Sequence, residues 1–316
     1  MTFTPGAKLL GWNHVVVRPS DAIIPRKVHS VMSPRLDKKI AVVTGSSRGL
    51  GYAMAAAFLR EGARVVVSSR TQAAVDAAVQ TLGGGDNVLG VTCDVSDYSQ
   101  VQHLADSAVQ RFGKIDMWVN NAAQTAVYGR TVDIPVDEYV RVVQTNTLGT
   151  YYGSRVALQH MLPRRDGKLI NLSGRGARRP APFQNAYGPT KAWVMSFTRA
   201  LAREYAGRGV DIMAFSPGMV LTGLLTDITV TEHDMERRLS RFPRILRMFA
   251  NPPGAPAGMA VDIAANGKNG EVYEFLNRRR KVMGLWSELR RRLSRSDEPP
   301  PAITVRVRGS GGDSQS

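Results

Sequence analysis

The sequence has little cysteine and few histidines. One cysteine, Cys93, stands among 316 residues, so the chain cannot form an internal disulfide. We expect a reducing compartment, the cytoplasm, and the apolar run around Cys93 predicts a packed thiol rather than a catalytic one. The five histidines do not combine with Cys93 in any metal-ligand spacing. No metal is therefore expected.

Long apolar runs are also missing. No segment approaches the roughly 18 uncharged apolar residues of a membrane span, and charged residues and prolines interrupt the first thirty residues. We expect neither a membrane span nor a secretory signal. With 43% hydrophobic residues the chain can still bury one large core. We predict a poorly ordered N-terminal extension at 1–37, one domain at 38–277 and a basic C-terminal extension at 278–316. Met32 leaves open a start of translation downstream of Met1.

Acidic residues are in short supply. The chain has 26 Asp and Glu against 42 Lys and Arg, which gives a formal net charge of +16. Much of the excess lies near the C-terminus, in Arg278–Lys281 and Arg290–Arg292. Such runs are usually solvated, and an anionic surface is the alternative partner. We expect no nucleic-acid partner.

From Ile40 onward, short apolar runs alternate with stretches of helical periodicity. The runs that we predict to be strands are Ile40–Val43, Arg64–Ser68, Val88–Thr92, Ile115–Val119, Lys168–Leu172, Val210–Phe215 and Gly270–Leu276. The predicted helices are 50–61, 72–82, 98–112, 136–162 and 186–207. This alternation indicates an α/β fold, a Rossmann-type doubly wound parallel sheet of about seven strands with helices on both faces. Ligands bind such sheets at the carboxyl ends of the strands.

The first strand ends in a glycine-rich turn, Thr44–Gly51, with the sequence TGSSRGLG. Gly45, Gly49 and Gly51 lack side chains where a backbone must approach a ligand and where a helix must lie close to a strand. Amide groups at the start of that helix can then face a phosphate. A glycine turn alone is weak support, because many strand-to-helix turns need glycine and bind nothing.

No acidic residue follows the second strand, where a site for NAD normally has one. The sequence there is Ser68-Ser69-Arg70. Arg70, together with Arg48 of the glycine turn, can meet a 2′-phosphate with charge-assisted hydrogen bonds. We therefore predict NADP(H) as the cofactor and NAD as the less favoured choice. Two solvated arginines are the alternative interpretation.

Polar residues also follow the third and fourth strands. Asp94, followed by Val95, can accept a hydrogen bond from an adenine amine or cap the helix that begins near Asp97. The segment Asn120–Ala123 is small and polar, as the floor under a flat ligand requires. Asn146 lies among poor helix formers in the long predicted helix that comes next. These residues predict a bent helix, and an ordinary polar helix face is the alternative.

The fifth strand is followed by Ser173, and the next helix begins with a Tyr-x-x-x-Lys motif. Tyr187 and Lys191 are four residues apart, so on a helix they share one face. Pro189 is tolerated only in the first turn of a helix, which places both residues beside the strand ends.

Together these segments resemble the short-chain dehydrogenase/reductase family, in its single-domain branch with TGxxxGxG and YxxxK motifs, over residues 40 to about 225. The resemblance implies the catalytic residues Asn146, Ser173, Tyr187 and Lys191. The cofactor-binding residues that it implies, together with the residue types above, are Gly45, Ser47, Arg48, Gly49, Leu50, Gly51, Arg70, Asp94, Val95, Asn121, Ala122, Tyr187, Lys191, Pro217, Gly218, Val220 and Thr222. It also implies a variable substrate lid at 223–255 and a homodimer or homotetramer that pairs through the helices at 136–162 and 186–207.

The resemblance implies the interconversion of a carbonyl and an alcohol by hydride transfer. Tyr187 is the general acid and base, and the ammonium of Lys191 is expected to lower the pKa of the phenol by about three units. Ser173 donates a hydrogen bond to the oxygen on which negative charge develops. By the same resemblance, Asn146 holds a water that passes protons toward Lys191, which also contacts the nicotinamide ribose.

The substrate is the least defined part of the prediction. Ser173, Arg175 and Tyr187 are the candidate contacts, and the arginines of Gly174–Pro180 either hold a carboxylate or phosphate of the substrate or face solvent. The segment Ser216–Thr222 is similar to that of chlorophyll b reductase-type members of the family, which gives an alternative substrate. A cofactor-binding scaffold or regulator that has lost the reaction is the alternative of another class.

Near the C-terminus, Leu285, Leu289 and Leu293 fall on one side of a short predicted helix, with Trp286 at its edge. This apolar stripe docks either on the protein's own core or a neighbouring subunit, or it lies in a membrane interface with the arginines at anionic headgroups. We favour docking, because three leucines and one tryptophan bury little area. The run Glu298–Pro301 ends any helix, and the Gly- and Ser-rich last residues are predicted to be disordered.

Overall fold

The computed structural model describes residues 34–232, 237–294 and 299–308. These ranges belong to one contact unit, which begins at Pro34. The predictions of poor order for residues 1–33 and for the Gly- and Ser-rich residues 309–316 lie outside the described residues.

The central sheet has seven parallel strands. The strands of the described chain are β1 Ile40–Val43, β2 Arg64–Ser69, β3 Val88–Thr92, β4 Met117–Asn120, β5 Gly167–Leu172, β6 Val210–Ser216, β7 Met219–Val220, β8 Asp227–Val230, β9 Ala250–Asn251, β10 Val272–Glu274 and β11 Thr304–Val307. The sheet order is β3-β2-β1-β4-β5-β6-β10. The strand order reverses between β1 and β4, and ligands bind at the carboxyl ends beside such a reversal.

Helices flank this sheet on both faces, as predicted. They are α1 Gly49–Arg60, α2 Gln72–Thr81, α3 Tyr98–Phe112, α4 Val136–Val143, α5 Gly149–Met161, α6 Gly188–Glu204, α7 Gly223–Thr226, α8 Phe242–Phe249, α9 Gly254–Asn266 and α10 Arg278–Leu293. Val43 of β1 packs in one apolar layer with Phe58 of α1 and Val261 of α9. Val42 enters the opposite layer with Leu104 of α3, because successive strand side chains point to opposite faces. No helix in the three described ranges is both long and apolar enough to cross a membrane.

The long helix predicted at 136–162 is divided in the structure. A π-helical turn, Gln144–Leu148, separates α4 from α5. The N–H of Gly149 donates to the carbonyl of Gln144, five residues back, so the turn accommodates one extra residue. Asn146 lies inside this turn and is fully buried. The poor helix formers thus coincide with an interruption of the regular α-helix.

The last residues of the predicted N-terminal extension are ordered. Leu36 is only 2% exposed, and its N–H donates to the carbonyl of Glu61 at 2.9 Å. Arg35 pairs with Glu61 at 2.6 Å and with Asp262 at 2.5 Å. These bonds lower the pKa of the Glu61 carboxyl. The predicted boundary at residue 37 is thus wrong for Pro34–Asp37, because Leu36 completes the core at the end of α1.

Residues 223–255, the predicted variable lid, contain α7, β8, α8 and β9. The lid has a small apolar core of its own, in which Ile228 and Val230 of β8 pack with Phe242 and Leu246 of α8. Strand β9 pairs with β7, which directly follows the sixth strand of the sheet. The lid is therefore attached to the carboxyl end of the sheet.

Part of the C-terminal extension packs on residues 223–255. Strand β11 pairs in parallel with β8, and Val305 and Val307 pack against the core of the lid. Arg308 pairs with Glu138 of α4 at 2.6 Å. The sequence analysis did not predict β11, because the strand forms only where the open edge of β8 gives its four residues a pairing partner.

Helix α10 begins earlier than predicted, at Arg278, and docks on α8. It does not dock through its apolar stripe. Glu288 is buried and pairs with Arg247 of α8 at 2.7 Å, whereas Leu285 and Trp286 are 54% and 67% exposed. The preferred interpretation, in which the stripe docks on this chain's own core, is therefore wrong. A buried charge pair occupies the docked face.

Gly153 of α5 gives a test of the packing beneath the site. A Cβ at Gly153 would collide with Asn120 Oδ1 and lie 2.8 Å from Trp118 Nε1. We predict that Gly153→Ala lowers the free energy of unfolding in urea by about 1–3 kcal/mol. Gly258→Ala in α9 is the matched control, because a Cβ there has nothing within 4 Å. It should raise the free energy of unfolding by about 0.5–1 kcal/mol, and equal effects of the two substitutions would contradict the packing described.

Candidate active site

A cleft of about 720 Å³ opens at the carboxyl ends of the central strands. All the residues predicted to bind the cofactor line it, and so do the predicted substrate contacts Ser173, Arg175 and Tyr187. Lys191 lines the cleft as well. Asn146 is the exception among the predicted site residues, since it lies buried behind the cleft wall.

The glycine turn packs closely on the end of β4. Gly45 has a φ of +62°, which favours glycine, and a Cβ at Gly51 would lie 2.5 Å from Asn121 Nδ2. No side chain of the described residues caps the start of α1. The first N–H groups of the helix therefore face the cleft with their hydrogen-bonding capacity available, as a phosphate group of a dinucleotide requires.

Thr44 connects this turn to the loop after β4. Its N–H donates to the carbonyl of Val119 at 3.1 Å, and its Oγ1 accepts from the N–H groups of Asn121 and Ala122 at 3.0 and 3.1 Å. Asn121 Nδ2 donates to the carbonyls of Thr44 and Gly45. The turn and the predicted floor of the cleft thus form one hydrogen-bonded unit.

Arg48 and Arg70 lie at one end of the cleft, and both side chains are exposed. Neither arginine has an ion-pair partner among the residues that the structure describes. The acidic residues among the described lining residues are Asp94 and Asp227. Neither aspartate belongs to β2 or to the residues directly after it, so the position after β2 has an arginine and no carboxylate.

Asp97, and not Asp94, caps α3. Side-chain hydrogen bonds from Ser99 and Gln100 hold the pKa of Asp97 below its usual value, and Asp97 Oδ1 also accepts from the N–H of Ser99 at 2.8 Å. Asp94 lines the cleft, where its Oδ1 accepts from the N–H of Ser96 at 2.9 Å. The alternative role of Asp94 as a helix cap is therefore excluded.

Asn146 joins the π-helical turn to two segments of the site. Its Nδ2 donates to the carbonyl of Gln124 at 2.9 Å and to Thr190 Oγ1 at 3.1 Å, while its Oδ1 accepts from the N–H of Gln124 at 2.8 Å. Thr190 Oγ1 donates to the carbonyl of Tyr187 at 2.7 Å. Asn146 thus positions the start of α6, and its role in a water relay to Lys191 stays a prediction.

Tyr187 stands at the N-cap of α6, and Lys191 follows one turn later, as the spacing predicts. Lys191 Nζ lies 5.6 Å from the centre of the Tyr187 ring and donates to the carbonyl of Leu172 at 3.0 Å. Burial raises the pKa of Tyr187 and lowers the pKa of Lys191 to about 8. The expected lowering of the Tyr187 pKa is therefore absent here, because burial, and after it the nearby Tyr128, raise this pKa. The phenol is protonated at neutral pH.

Ser173 directly follows β5 and lines the same cleft as Tyr187. The N–H of Ser173 donates to the carbonyl of Phe215 at 2.8 Å, which fixes its backbone. Its Oγ is 3.5 Å from the carbonyl oxygen of Lys191, a long contact that leaves the hydroxyl available to a ligand. A Cβ at Gly174 would lie 2.9 Å from Tyr187 Oη. Glycine at this position therefore makes room for the phenol.

Tyr128 and Gln184 line the cleft but are not among the predicted site residues. Gln184 Nε2 donates to the Tyr128 hydroxyl, and burial raises the pKa of Tyr128. Gln184 Oε1 is buried without a partner among the described residues. The position of Gln184, three residues before Tyr187, could have identified it in the sequence as a site residue. No sequence feature identifies Tyr128, because it lies in a loop that tertiary packing brings to the cleft.

Of the arginines that follow Ser173, Arg175 alone lines the cleft. Arg178 pairs with Glu274 of β10 at 2.8 Å, and Arg179 is exposed outside the cleft. A site for a substrate carboxylate or phosphate therefore has one arginine rather than three.

Cys93 lines the cleft as a packed thiol. Burial raises its pKa to about 12, so the thiol stays protonated at neutral pH and is a poor nucleophile. Within the described ranges, no group of three His, Cys, Asp or Glu side chains is placed to hold a metal ion.

A parallel sheet with a glycine turn at its reversal point, facing a serine, a tyrosine and a lysine, defines a class of nicotinamide-dependent oxidoreductases. A family model described as short chain dehydrogenase matches residues 39–233. The chain belongs to the short-chain dehydrogenase/reductase family.

Three known proteins illustrate the relationship. Chlorophyll(ide) b reductase NOL, chloroplastic, of Arabidopsis thaliana is 35% identical over 227 residues, which cover 69% of this chain and 65% of that protein, just under two thirds of its length. Glucose 1-dehydrogenase 2 of Bacillus subtilis (strain 168) is 31% identical over 228 residues, covering 71% of this chain and 87% of that protein. The crystal structure of 3-ketoacyl-(acyl-carrier-protein) reductase from Brucella melitensis complexed with NADH is 29% identical, with a TM-score of 0.68, and the match covers 76% of this chain and 97% of that one. These relatives support a nicotinamide cofactor.

The buried Lys191 gives a pH dependence of stability. Its pKa falls from 10.5 to about 8 on folding, so between these values the unfolded chain binds more protons and stability rises with pH. We predict that Lys191 contributes a rise of about 2 kcal/mol in the free energy of unfolding from about pH 7.5 to about pH 9.5. Urea denaturation at both pH values measures it. Lys191→Met should lose this rise and Tyr187→Phe should keep it, and identical pH profiles for Lys191→Met and the unaltered chain would contradict the buried amine.

Proposed function

We propose that the protein is an NADP(H)-dependent oxidoreductase that interconverts a carbonyl and an alcohol by hydride transfer, with Tyr187 as general acid and base. The observation that carries the proposal is the meeting of Ser173, Tyr187 and Lys191 in the same cleft as the glycine turn. When bound, the nicotinamide supplies the hydride in reduction and takes it in oxidation.

The side chains of the site have separate roles in proton transfer, charge stabilisation and positioning. Tyr187 donates its proton to the substrate oxygen in the reduction, and burial keeps the phenol protonated at neutral pH. Ser173 donates a hydrogen bond to the same oxygen. The charge of Lys191, close to the ring, favours the tyrosinate that remains after proton transfer. Asn146 keeps the start of α6 in place through Thr190.

We predict turnover of at least one member of a panel of ketones, aldehydes and alcohols, followed by the ultraviolet absorbance of the reduced nicotinamide. Tyr187→Phe should lower kcat by about 10²–10⁴-fold, the usual contribution of a general acid. Tyr128→Phe is the matched control, because it removes the other phenol of the cleft and should keep most of the activity. Cofactor binding without any turnover would favour the non-catalytic scaffold instead, and an active Tyr187→Phe would exclude Tyr187 as the acid.

The preference for NADP(H) over NAD(H) is supported by the charge at one end of the cleft. Arg48 and Arg70 are exposed there, and no carboxylate follows β2. An arginine binds a phosphate with charge-assisted hydrogen bonds, whereas an acidic residue would repel it. The complex of the Brucella relative contains NADH, so the choice between the two cofactors depends on this chain's own arginines.

We predict that NADPH binds more tightly than NADH, measured by fluorescence titration at one ionic strength. Arg48→Ala combined with Arg70→Ala should weaken NADPH binding by at least about tenfold and leave NADH binding nearly unchanged, because each lost charged hydrogen bond costs about 1.5–3 kcal/mol. Arg60→Ala, at the other end of α1, is the control. An unchanged ratio of the two affinities in the double variant would show that the arginines do not select the cofactor.

The substrate remains a choice among carbonyl compounds. The similarity to chlorophyll(ide) b reductase NOL supports chlorophyllide b as a second, narrower candidate. Arg175, at the cleft wall, supports an anionic group on the substrate. A comparison of chlorophyllide b, glucose and a 3-ketoacyl thioester as substrates, with Arg175→Ala as a variant, separates these possibilities. Loss of affinity in Arg175→Ala for charged substrates alone would support the anionic group.

We also propose that the chain forms a homodimer or homotetramer and works in the cytoplasm. Exposed apolar side chains on α4 and α5, among them Val140 and Tyr151, support the assembly. The single buried thiol fits a reducing compartment. A monomeric mass in light scattering at micromolar concentration would refute the assembly.

A further inference from the structure

Helix α10 carries an apolar face that does not pack against the part of the chain that the structure describes. Its exposed apolar residues are Val282, Met283, Leu285, Trp286, Leu289 and Leu293. Val282, Leu285, Leu289 and Leu293 recur at helical spacing with Trp286 beside them, so they form one continuous stripe, here called the α10 stripe. The exposure of Trp286 is 67% and that of Leu293 is 78%. So much apolar area on one helix indicates a contact with something outside the chain.

The anchoring of α10 turns this stripe away from the protein. Glu288 is buried against Arg247 of α8, and a Cβ at Gly284 would collide with the carbonyl oxygen of Met248. Gly284 and Glu288 are four residues apart and therefore share one face of the helix. Leu289 and Trp286, one and two residues from these positions, lie on other faces. The docked face is thus polar, and the apolar face is presented outward.

Basic residues border the α10 stripe. Arg278, Arg279, Lys281 and Arg290 are exposed, and none has an ion-pair partner among the residues that the structure describes. The first turn of α10 contains no acidic residue, although the N-terminus of a helix favours negative charge. This cluster of cations is unfavourable for the isolated helix. An anionic partner would relieve the repulsion.

We propose that α10 lies on an anionic lipid surface, with the α10 stripe in the interface and the bordering arginines at the headgroups. The pattern is that of an interfacial helix: an apolar arc with tryptophan at its edge and basic residues on its flanks. A second copy of the chain is the less suitable occupant. Pairing two such stripes would bring the two sets of unpaired cations together.

Flotation with lipid vesicles tests the proposal on the full chain. The protein should rise through a density gradient with vesicles of phosphatidylcholine containing about one third phosphatidylglycerol, and stay behind with pure phosphatidylcholine. Binding should weaken at high salt, because salt screens the contribution of the basic residues. Failure of the full chain to float with the anionic vesicles at low salt would overturn the proposal.

Two variants separate the apolar and charged contributions. The stripe variant removes the apolar side chains and combines Leu285→Gln, Trp286→Gln and Leu289→Gln. The charge variant reverses the charge of two bordering residues and combines Arg279→Glu with Arg290→Glu. Each should lower the vesicle-bound fraction at least about tenfold. Arg60→Glu with Arg208→Glu changes the net charge equally at two exposed sites elsewhere and should keep binding. Because all the altered side chains are exposed, the melting temperature should change little.

Light scattering of the same variants distinguishes a lipid surface from a second copy. The stripe variant should have the same molecular mass as the unaltered chain. A smaller mass would show that the α10 stripe is an interface between copies and would overturn the proposal. Equal flotation of the stripe variant and the unaltered chain would also overturn the proposal.

Discussion

Thr44 holds the two central strands of the sheet together at the edge where ligands bind. Its backbone and hydroxyl connect the glycine turn after β1 to the loop after β4. Gly51 allows the first turn of α1 to lie against Asn121, with no space for even a methyl group. The turn and the loop therefore cannot shift independently. The shape of the cleft depends on this junction, because the glycine turn and the loop after β4 both line the cleft.

The groups that we propose to be catalytic are positioned by buried amide side chains, which are themselves hydrogen-bonded. Asn120 accepts from Trp118 Nε1 and donates to Asn171 Oδ1, each at 2.8 Å, which links the ends of β4 and β5. Asn171 Nδ2 then donates to Thr198 Oγ1 of α6 at 3.0 Å. Asn146 adds a second link to α6. Buried polar networks of this kind specify one arrangement, because a displaced amide would leave unsatisfied groups in a dry interior.

The C-terminal extension packs on residues 223–255, some of which line the cleft. Strand β11 extends the lid by pairing with β8, and α10 is held on α8 by the buried pair of Arg247 and Glu288. Glu288 also pairs with Arg291 of its own helix at 3.9 Å, so the buried carboxylate contacts two cations. Docking through charge leaves the apolar face of α10 exposed among the described residues. The extension thus joins the lid to a surface suited to a lipid partner.

The sequence by itself determined the seven strands of the central sheet, their parallel arrangement and most of the cleft residues, because local patterns encode each of them. Apolar runs mark buried strands, glycines mark the turn, and the spacing of Tyr187 and Lys191 places two side chains on one helix face. Tertiary structure decided what depends on distant partners. Strand β11 exists because β8 offers it an edge. Tyr128 reaches the cleft because its loop folds over Gln184, and burial, which no sequence pattern reports, sets the pKa of Tyr187.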